Sequence, residues 1–321
     1  MNGYDRRLIQ GLLACLLGLQ AQFALAQATK TAPKGATSEE KTLITRDGEQ
    51  IRCTYFRSTA GKSAPVAILL HGKNGQRKVW ETGAGNLPGF AQALQSNDFA
   101  VITVDLRGHG ENIGGQGAPA ANKKGESVRL TPRHYQAMVA EDLEAVKRFL
   151  LEEHEKGQLN IRKLAIVGAE FSTAVALAYF ELDWSKKPWD DSPVPGMGTP
   201  RGQDVRALVL LSPESTVPGL VTTAAATAIR NLRGRVCVMI GVGTKDNLDR
   251  GTAKKLAEQI SPRKEEGDSQ YLFLEEYDTK FRGTDMLLKG LKVEQHMYRF
   301  LDEKVKKFEV EWRTRKSPLM D

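Results

Sequence analysis

Apolar runs of strand length alternate with amphipathic helical stretches along most of this chain. The runs, rich in branched residues, occur at 65–70, 99–104, 163–167, 205–211, 236–241 and 271–275. Apolar residues at helical spacing lie at about 87–97, 134–154, 172 onward, 221–232, 251–260 and 293–308. This order favours an α/β fold with a mostly parallel sheet that helices cover on both faces.

A polar turn near the start of the folded region predicts a hairpin. Asp47-Gly48-Glu49 separates two strand-like stretches, Thr42–Arg46 and Gln50–Phe56, and Asp-Gly suits a tight turn because glycine accepts positive φ. The antiparallel hairpin would open a single domain at 41–310. The segment 27–40 is predicted to be a flexible tether, and the basic tail at 311–321 is expected to fray from Arg313 onward.

The N-terminus has the three parts of a secretory signal peptide. Two arginines precede an apolar stretch from Leu8 to about Ala26, which ends in the small-residue site Ala24-Leu25-Ala26. Cleavage there predicts a mature N-terminus at Gln27, in the periplasm or outside the cell, with no remaining transmembrane span. A retained membrane anchor and lipid attachment at Cys15 are alternatives. Glutamines that interrupt the apolar stretch favour cleavage.

Composition describes an ordinary globular chain and excludes few partners. Its 321 residues are 40% hydrophobic and 26% charged, which suits one large folded domain. The formal charge is +7, and it becomes +6 without residues 1–26, which contain two arginines and one aspartate. The basic residues are scattered, so a solvated surface is the simplest interpretation and weak contact with acidic envelope polymers stays open. Without a basic block, no nucleic-acid partner is predicted.

Cysteine and histidine usage gives no sign of a metal centre. Cys53 and Cys237 fall within predicted strands and are expected to be buried free thiols. No CxxC or HExxH spacing occurs, so neither a metal nor a cofactor is predicted.

Four short motifs follow predicted strands in a recognisable order. They are Leu69-Leu70-His71-Gly72, Asp105-Leu106-Arg107-Gly108-His109-Gly110, Gly168-Ala169-Glu170-Phe171-Ser172 and Gly243-Thr244-Lys245-Asp246. Together they resemble the α/β-hydrolase superfamily of esterases, lipases and serine peptidases, over about residues 42–308. The resemblance implies the α/β-hydrolase fold without a sizeable cap domain. It also implies a nucleophile elbow at Gly168–Ser172 and an oxyanion hole built from the amides of Lys73, after Gly72, and Phe171.

The same resemblance marks where this chain departs from a serine hydrolase. Acyl transfer needs a hydroxyl nucleophile, a histidine base and an acid that orients the histidine. Asp246 fills the acid position, but Glu170 occupies the nucleophile position. The stretch Thr279–Thr284 should hold the histidine and contains none, so Arg282 is the candidate for that place. Ser172 replaces the last glycine of the elbow.

The histidines outside that stretch are expected to be structural. His71 shapes a loop after its strand, and the resemblance implies that it is not used as a base. His109 lies in the turn after the next strand and is also expected to be structural. Surface or packing roles are the default for the three histidines on predicted helices, His134, His154 and His296.

Charge at the three triad positions predicts an ion-pair bridge. Glu170 and Asp246 would repel each other in a partly dry cleft, and the forked guanidinium of Arg282 can donate to both. We therefore expect Arg282 to join the two carboxylates. Serine-hydrolase activity is then not expected, and the chain is interpreted as an exported pseudo-hydrolase that binds a small ligand or a protein at its cleft.

Two alternatives to this interpretation stay open. One is an active hydrolase of the esterase, lipase or peptidase class that uses Ser172 or Glu170 as its nucleophile. The other is a structural envelope protein whose function lies in an interaction surface.

Overall fold

The computed structural model describes residues 37–112, 130–194, 196–263 and 270–320. The predicted signal peptide and nearly all of the predicted tether lie outside these residues. Within the described part of the chain, no helix is long and apolar enough to cross a membrane.

The described residues form one eight-stranded, mostly parallel sheet. The strands are β1 (Ser38–Ile44), β2 (Gln50–Phe56), β3 (Val66–Leu70), β4 (Ala100–Val104), β5 (Leu164–Ala169), β6 (Val205–Leu211), β7 (Cys237–Gly243) and β8 (Leu272–Tyr277). Their spatial order is β1-β2-β4-β3-β5-β6-β7-β8. β2 pairs antiparallel with β1 and β4, and the remaining neighbours are parallel. The opening hairpin and the mostly parallel sheet predicted from the sequence are confirmed.

Helices connect the parallel strands and cover the sheet. They are α1 (Phe90–Gln95), α2 (Pro132–Ala137), α3 (Leu143–Glu155), α4 (Phe171–Ser185), α5 (Thr223–Asn231), α6 (Thr252–Ile260) and α7 (Val293–Leu301). Every residue of β3, β4 and β5 is buried. Because successive side chains of a strand point to opposite faces, both faces of the central sheet are covered. Cys53 and Cys237 are buried free thiols, as predicted.

Two segments differ from the sequence-based expectation. β1 begins at Ser38, inside the stretch 27–40 that was predicted to be a tether, because seven of its residues pair with β2. The helical stretch 134–154 is interrupted by a π-helix at Met138–Asp142, where Asp142 binds the Arg107 guanidinium at 2.8 Å.

The C-terminal tail packs on the domain. The Arg313 carbonyl lies 2.8 Å from His154 Nε2, and the Thr314 hydroxyl donates to Glu155 at 2.8 Å. Arg315 forms an ion pair with the buried carboxylate of Asp204. The expectation that the tail frays from Arg313 is therefore wrong for these residues, because specific polar partners far along the chain hold them.

Candidate active site

The carboxyl ends of the parallel strands bring the predicted site residues together. Glu170 directly follows β5, Asp246 lies in the turn after β7, and Arg282 lies in the loop after β8. Lys73 follows β3, the strand next to β5. Parallel strands all end at one edge of a sheet, so four loops distant in sequence meet there.

The turn at Glu170 has the backbone strain of a nucleophile elbow. Glu170 has φ +53° and ψ −121°, a conformation that costs a residue with a side chain about 1–3 kcal/mol. Its amide donates to the Leu211 carbonyl at 2.8 Å, and its carbonyl accepts from the Thr173 amide at 3.1 Å. A Cβ on Gly168 would lie 2.7 Å from the Ser172 carbonyl oxygen, so the turn also requires glycine there.

Arg282 joins Glu170 and Asp246, as the charge argument predicts. Its Nε donates to Glu170 Oε1 at 3.1 Å, and its Nη1 donates to Asp246 Oδ2 at 2.9 Å. Its Nη2 donates to the Ser212 carbonyl at 3.3 Å. The side chains are 14% exposed for Arg282, 15% for Glu170 and 3% for Asp246. All three guanidinium nitrogens are therefore engaged in a cluster that water reaches at one side.

The Glu170 carboxylate accepts a hydrogen bond from one of the two amides predicted to form the oxyanion hole. The Lys73 amide donates to Glu170 Oε2 at 2.5 Å. The carboxylate fits a slot between two glycines, because a Cβ on Gly72 would lie 2.8 Å from Oε2 and one on Gly283 would lie 2.8 Å from Cγ. Phe171, the other predicted donor, begins α4, and its ring stacks on His109 with centroids 5.0 Å apart.

Ser172 faces the interior of the domain. It is fully buried; its hydroxyl donates to the Ala169 carbonyl at 2.9 Å and accepts from the Ala169 amide at 2.8 Å. These bonds close the first turn after the strand. A hydroxyl held in this way faces the backbone of the elbow and is closed off from solvent.

The five histidines of the chain make contacts away from the triad position. His71 is fully buried, with its ring centroid 6.0 Å from that of Phe171 in the elbow. Its Nδ1 lies 2.8 Å from the Gly72 carbonyl, and its Nε2 accepts from the Leu106 amide. Burial, with a contribution from His109, lowers the pKa of His71 to about 3, so the ring is neutral. His134 accepts from the Thr131 amide at the start of α2.

The remaining two histidines also have structural partners. His154 is buried against the tail, with Nδ1 3.1 Å from the Leu159 carbonyl. His296 Nδ1 lies 3.3 Å from a Glu275 oxygen on the outer strand β8.

Two residues of this site were missed by the sequence reasoning. Ser212, with φ +48°, receives Arg282 on its carbonyl and the Gly283 amide on its hydroxyl at 2.9 Å. Glu214 is half-buried, and its charged neighbours are Arg282, Glu170 and Lys73. Burial raises the pKa of the Glu214 carboxyl, and Arg282 opposes that shift. Ser212 directly follows β6 and Glu214 lies two residues further along, and that position after a strand was the available signal.

A cleft of about 170 Å³ lies beside the cluster. Residues of α4, α5 and α6 and the loop after β6 line it, among them Thr173, Leu177, Glu214 and Leu256. Both apolar residues and hydroxyl-bearing residues line it. Glu214 belongs both to this cleft and to the charged surroundings of Arg282.

Solved structures of similar architecture are esterases and related hydrolases. An esterase from Rhizomucor miehei is 14% identical with a TM-score of 0.55, and the match covers 89% of this chain and 88% of that chain. The dienelactone hydrolase of Anabaena variabilis is 13% identical with a TM-score of 0.52, covering 84% and 99%. An esterase from Pyrobaculum calidifontis is 13% identical with a TM-score of 0.52, covering 88% and 89%.

The chain has the α/β-hydrolase fold. The strand order, the strained elbow and the similar structures agree on this point. No protein-family model and no curated protein sequence matches the chain. The likeness is therefore one of architecture, and the residues at the site decide what the fold does here.

The chemistry open to this α/β-hydrolase fold follows from its charged groups. Arginine keeps its proton at neutral pH, so Arg282 cannot act as the general base that a histidine supplies in a triad. The Glu170 oxygens each accept a hydrogen bond, one from Arg282 and one from Lys73. The arrangement is suited to holding loops and fixing charge around a cleft.

Proposed function

We propose that this chain is an exported, non-catalytic protein of α/β-hydrolase fold that binds a small ligand or a partner protein at its cleft. The observation that carries the proposal is the ion-pair cluster. The resemblance assigns Glu170, Arg282 and Asp246 to the nucleophile, base and acid positions of a triad, and Arg282 binds both carboxylates.

Export is the part of the proposal that rests on the sequence alone. The basic start, the apolar stretch and the small-residue site before Gln27 support a cleaved signal peptide. N-terminal sequencing of protein recovered outside the cytoplasm should begin at Gln27. Soluble cytoplasmic protein that begins at Met1 would contradict export.

Binding is preferred to hydrolysis because neither alternative nucleophile is well placed. The Ser172 hydroxyl is buried and bonded to the Ala169 backbone. A Glu170 ester, if one formed, would need a water activated by a base to release it, and Arg282 occupies the place of that base. Removal of triad members costs about 10⁴–10⁶ in rate.

Ester turnover tests the non-catalytic part of the proposal. Wild-type protein, Glu170→Gln and Ser172→Ala should hydrolyse p-nitrophenyl acetate and butyrate equally slowly, at the rate of buffer containing an inert protein. Turnover that Glu170→Gln abolishes would establish a carboxylate nucleophile. Turnover that Ser172→Ala abolishes would establish a serine enzyme, and either result would overturn the proposal.

A further inference from the structure

The groups at the carboxyl edge of the sheet that could bind an anion already bind carboxylates of the chain itself. The Lys73 amide and the Arg282 guanidinium would be the natural donors for a ligand carboxylate, and both bind Glu170 instead. Asp246 takes another guanidinium nitrogen. A free anion would have to displace a covalently tethered carboxylate that is present at very high effective concentration.

The charge that remains around this site is negative. Glu170 and Asp246 carry two negative charges against the single positive charge of Arg282. Glu214 adds a third carboxylate beside them, and the exposed Lys73 side chain adds one ammonium. The cluster therefore has a formal excess of one negative charge. Because Lys73 is exposed and Glu214 is half-buried, water screens the ammonium more than the carboxylate.

Glu214 is the carboxylate of this group that lines the cleft. It lines the cleft, and no side chain in the described ranges forms an ion pair with it. Lys255 on α6 also lines the cleft, but it is exposed and is not among the charged neighbours of Glu214. A ligand ammonium placed against Glu214 would supply the partner that the protein does not.

The rest of the cleft wall matches a hydroxylated ligand. Its hydroxyl-bearing residues are Thr173, Ser215, Thr222, Thr223 and Thr252. Each hydroxyl both donates and accepts hydrogen bonds, which is the requirement for binding alcohol groups. The Thr173 hydroxyl already donates to the Glu170 carbonyl at 2.6 Å, and its oxygen can still accept.

We propose that this cleft binds a small amine-bearing, hydroxylated molecule such as an amino sugar, with its ammonium on the Glu214 carboxylate. This inference rests on the proposed binding function and gives it a ligand class. A neutral sugar lacks the group that Glu214 needs. An acidic sugar would bring a like charge to the Glu214 carboxylate, and the one ammonium among the described residues that line the cleft, Lys255, is exposed and screened by water. The expected order of affinity is amine first, neutral second and acid last.

Titrations with three matched sugars test the order. D-glucosamine, D-glucose and D-glucuronate are added to the full chain at pH 7 and low salt, and binding is followed by NMR. D-glucosamine should bind most tightly. Glu214→Gln should lower the affinity for D-glucosamine by about tenfold or more, because the variant loses a charge-assisted hydrogen bond. Glu258→Gln, an exposed change on the same helix as Lys255, should have no effect.

A second variant keeps the inference testable if Glu214→Gln fails to fold. Thr223→Trp changes an exposed residue of the cleft wall and should abolish binding of D-glucosamine by filling the space. Equal or tighter binding of D-glucose or D-glucuronate, no binding of any sugar, or D-glucosamine binding that survives both variants would overturn the inference. These outcomes leave the non-catalytic proposal standing, because sugar binding does not bear on ester turnover.

Discussion

Two charged clusters lie at opposite edges of the same sheet, and they differ in how completely they are sealed. At the amino end of β6, Lys147 pairs with Asp183 at 2.8 Å and with Asp204 at 2.9 Å, and Arg315 of the tail binds Asp204. No side chain in this group is more than 6% exposed. We call this group the sealed cluster. At the carboxyl edge, Glu170, Arg282 and Asp246 form the open cluster, in which Arg282 and Glu170 are exposed to water on one side.

The two clusters also differ in charge balance. Lys147 and Arg315 match the two aspartates at the sealed edge, so that cluster is neutral. Burial opposes ionisation of Asp183, but Lys147 and two backbone amides outweigh it and hold the pKa of Asp183 below its usual value. The open cluster has two carboxylates for one guanidinium, with Glu214 beside them. The sealed cluster is suited to stabilising the fold, and the open cluster keeps the unbalanced negative charge on which the proposed ligand site depends.

The largest expected effect comes from breaking the sealed cluster. Lys147→Met leaves Asp183 and Asp204 without their shared cation, and removal of one partner of a buried ion pair costs about 3–5 kcal/mol. Lys156→Met is the matched control, because Lys156 pairs with Glu153 from an exposed position near the end of the same helix; its cost should stay below about 1 kcal/mol. Urea denaturation measures both. Equal costs would show that the sealed cluster has no special stability.

A smaller loss of unfolding free energy is expected when the open cluster is broken. Arg282→Met leaves Glu170 and Asp246 to repel each other, but water reaches the site, so the cost should be about 2–3 kcal/mol. Arg233→Met, in an exposed turn after α5, provides the control and should cost less than about 0.5 kcal/mol. A loss for Arg282→Met as small as that of the control, or as large as that of Lys147→Met, would contradict the distinction between the clusters.

The dependence of stability on acid pH tests His71, the buried histidine near the elbow. The pKa of His71 is lowered to about 3, mainly by burial, whereas an unfolded histidine titrates near 6.5. Below pH 6.5 the unfolded chain binds a proton that the folded chain excludes, so stability falls as the pH falls from 6.5 toward 3. His71 alone should cost about 2 kcal/mol at pH 5.

His71→Gln removes this titration and should reduce the loss of unfolding free energy between pH 7 and pH 5. Urea melts at the two pH values, for wild type and variant, measure the difference. Identical losses in the two proteins would show that His71 does not titrate in this way.

The smallest expected effect is that of Ser172→Ala. The variant loses two hydrogen bonds to the Ala169 backbone and should cost about 1 kcal/mol. It should leave ligand binding at the cleft unchanged, because the hydroxyl faces the interior. A large change in ligand affinity without a change in stability would place this hydroxyl at the open cluster instead.

The sequence was most informative about the open cluster, and physical reasons explain why. Strand ends and the elbow have local patterns, and the fold that the resemblance implies brings them together. The Arg282 bridge could then be predicted from the charges at those positions. Glu214 lies just after a strand, but nothing in its local sequence indicates that its carboxylate faces a cleft. The sealed cluster depends on Arg315 meeting Asp204, which is 111 residues away, and no periodic pattern signals such a pair.

Covalent labelling with a fluorophosphonate, read by intact mass, tests the central claim most directly. In the proposed function, the triad positions form an ion-pair cluster without a nucleophile. The wild-type chain should therefore remain unlabelled, while Glu170→Ser combined with Arg282→His should gain one probe at position 170, because the elbow, the Lys73 amide and Asp246 are already in place. Labelling of the wild-type chain at Ser172, or at any other serine of the cleft, would contradict the account.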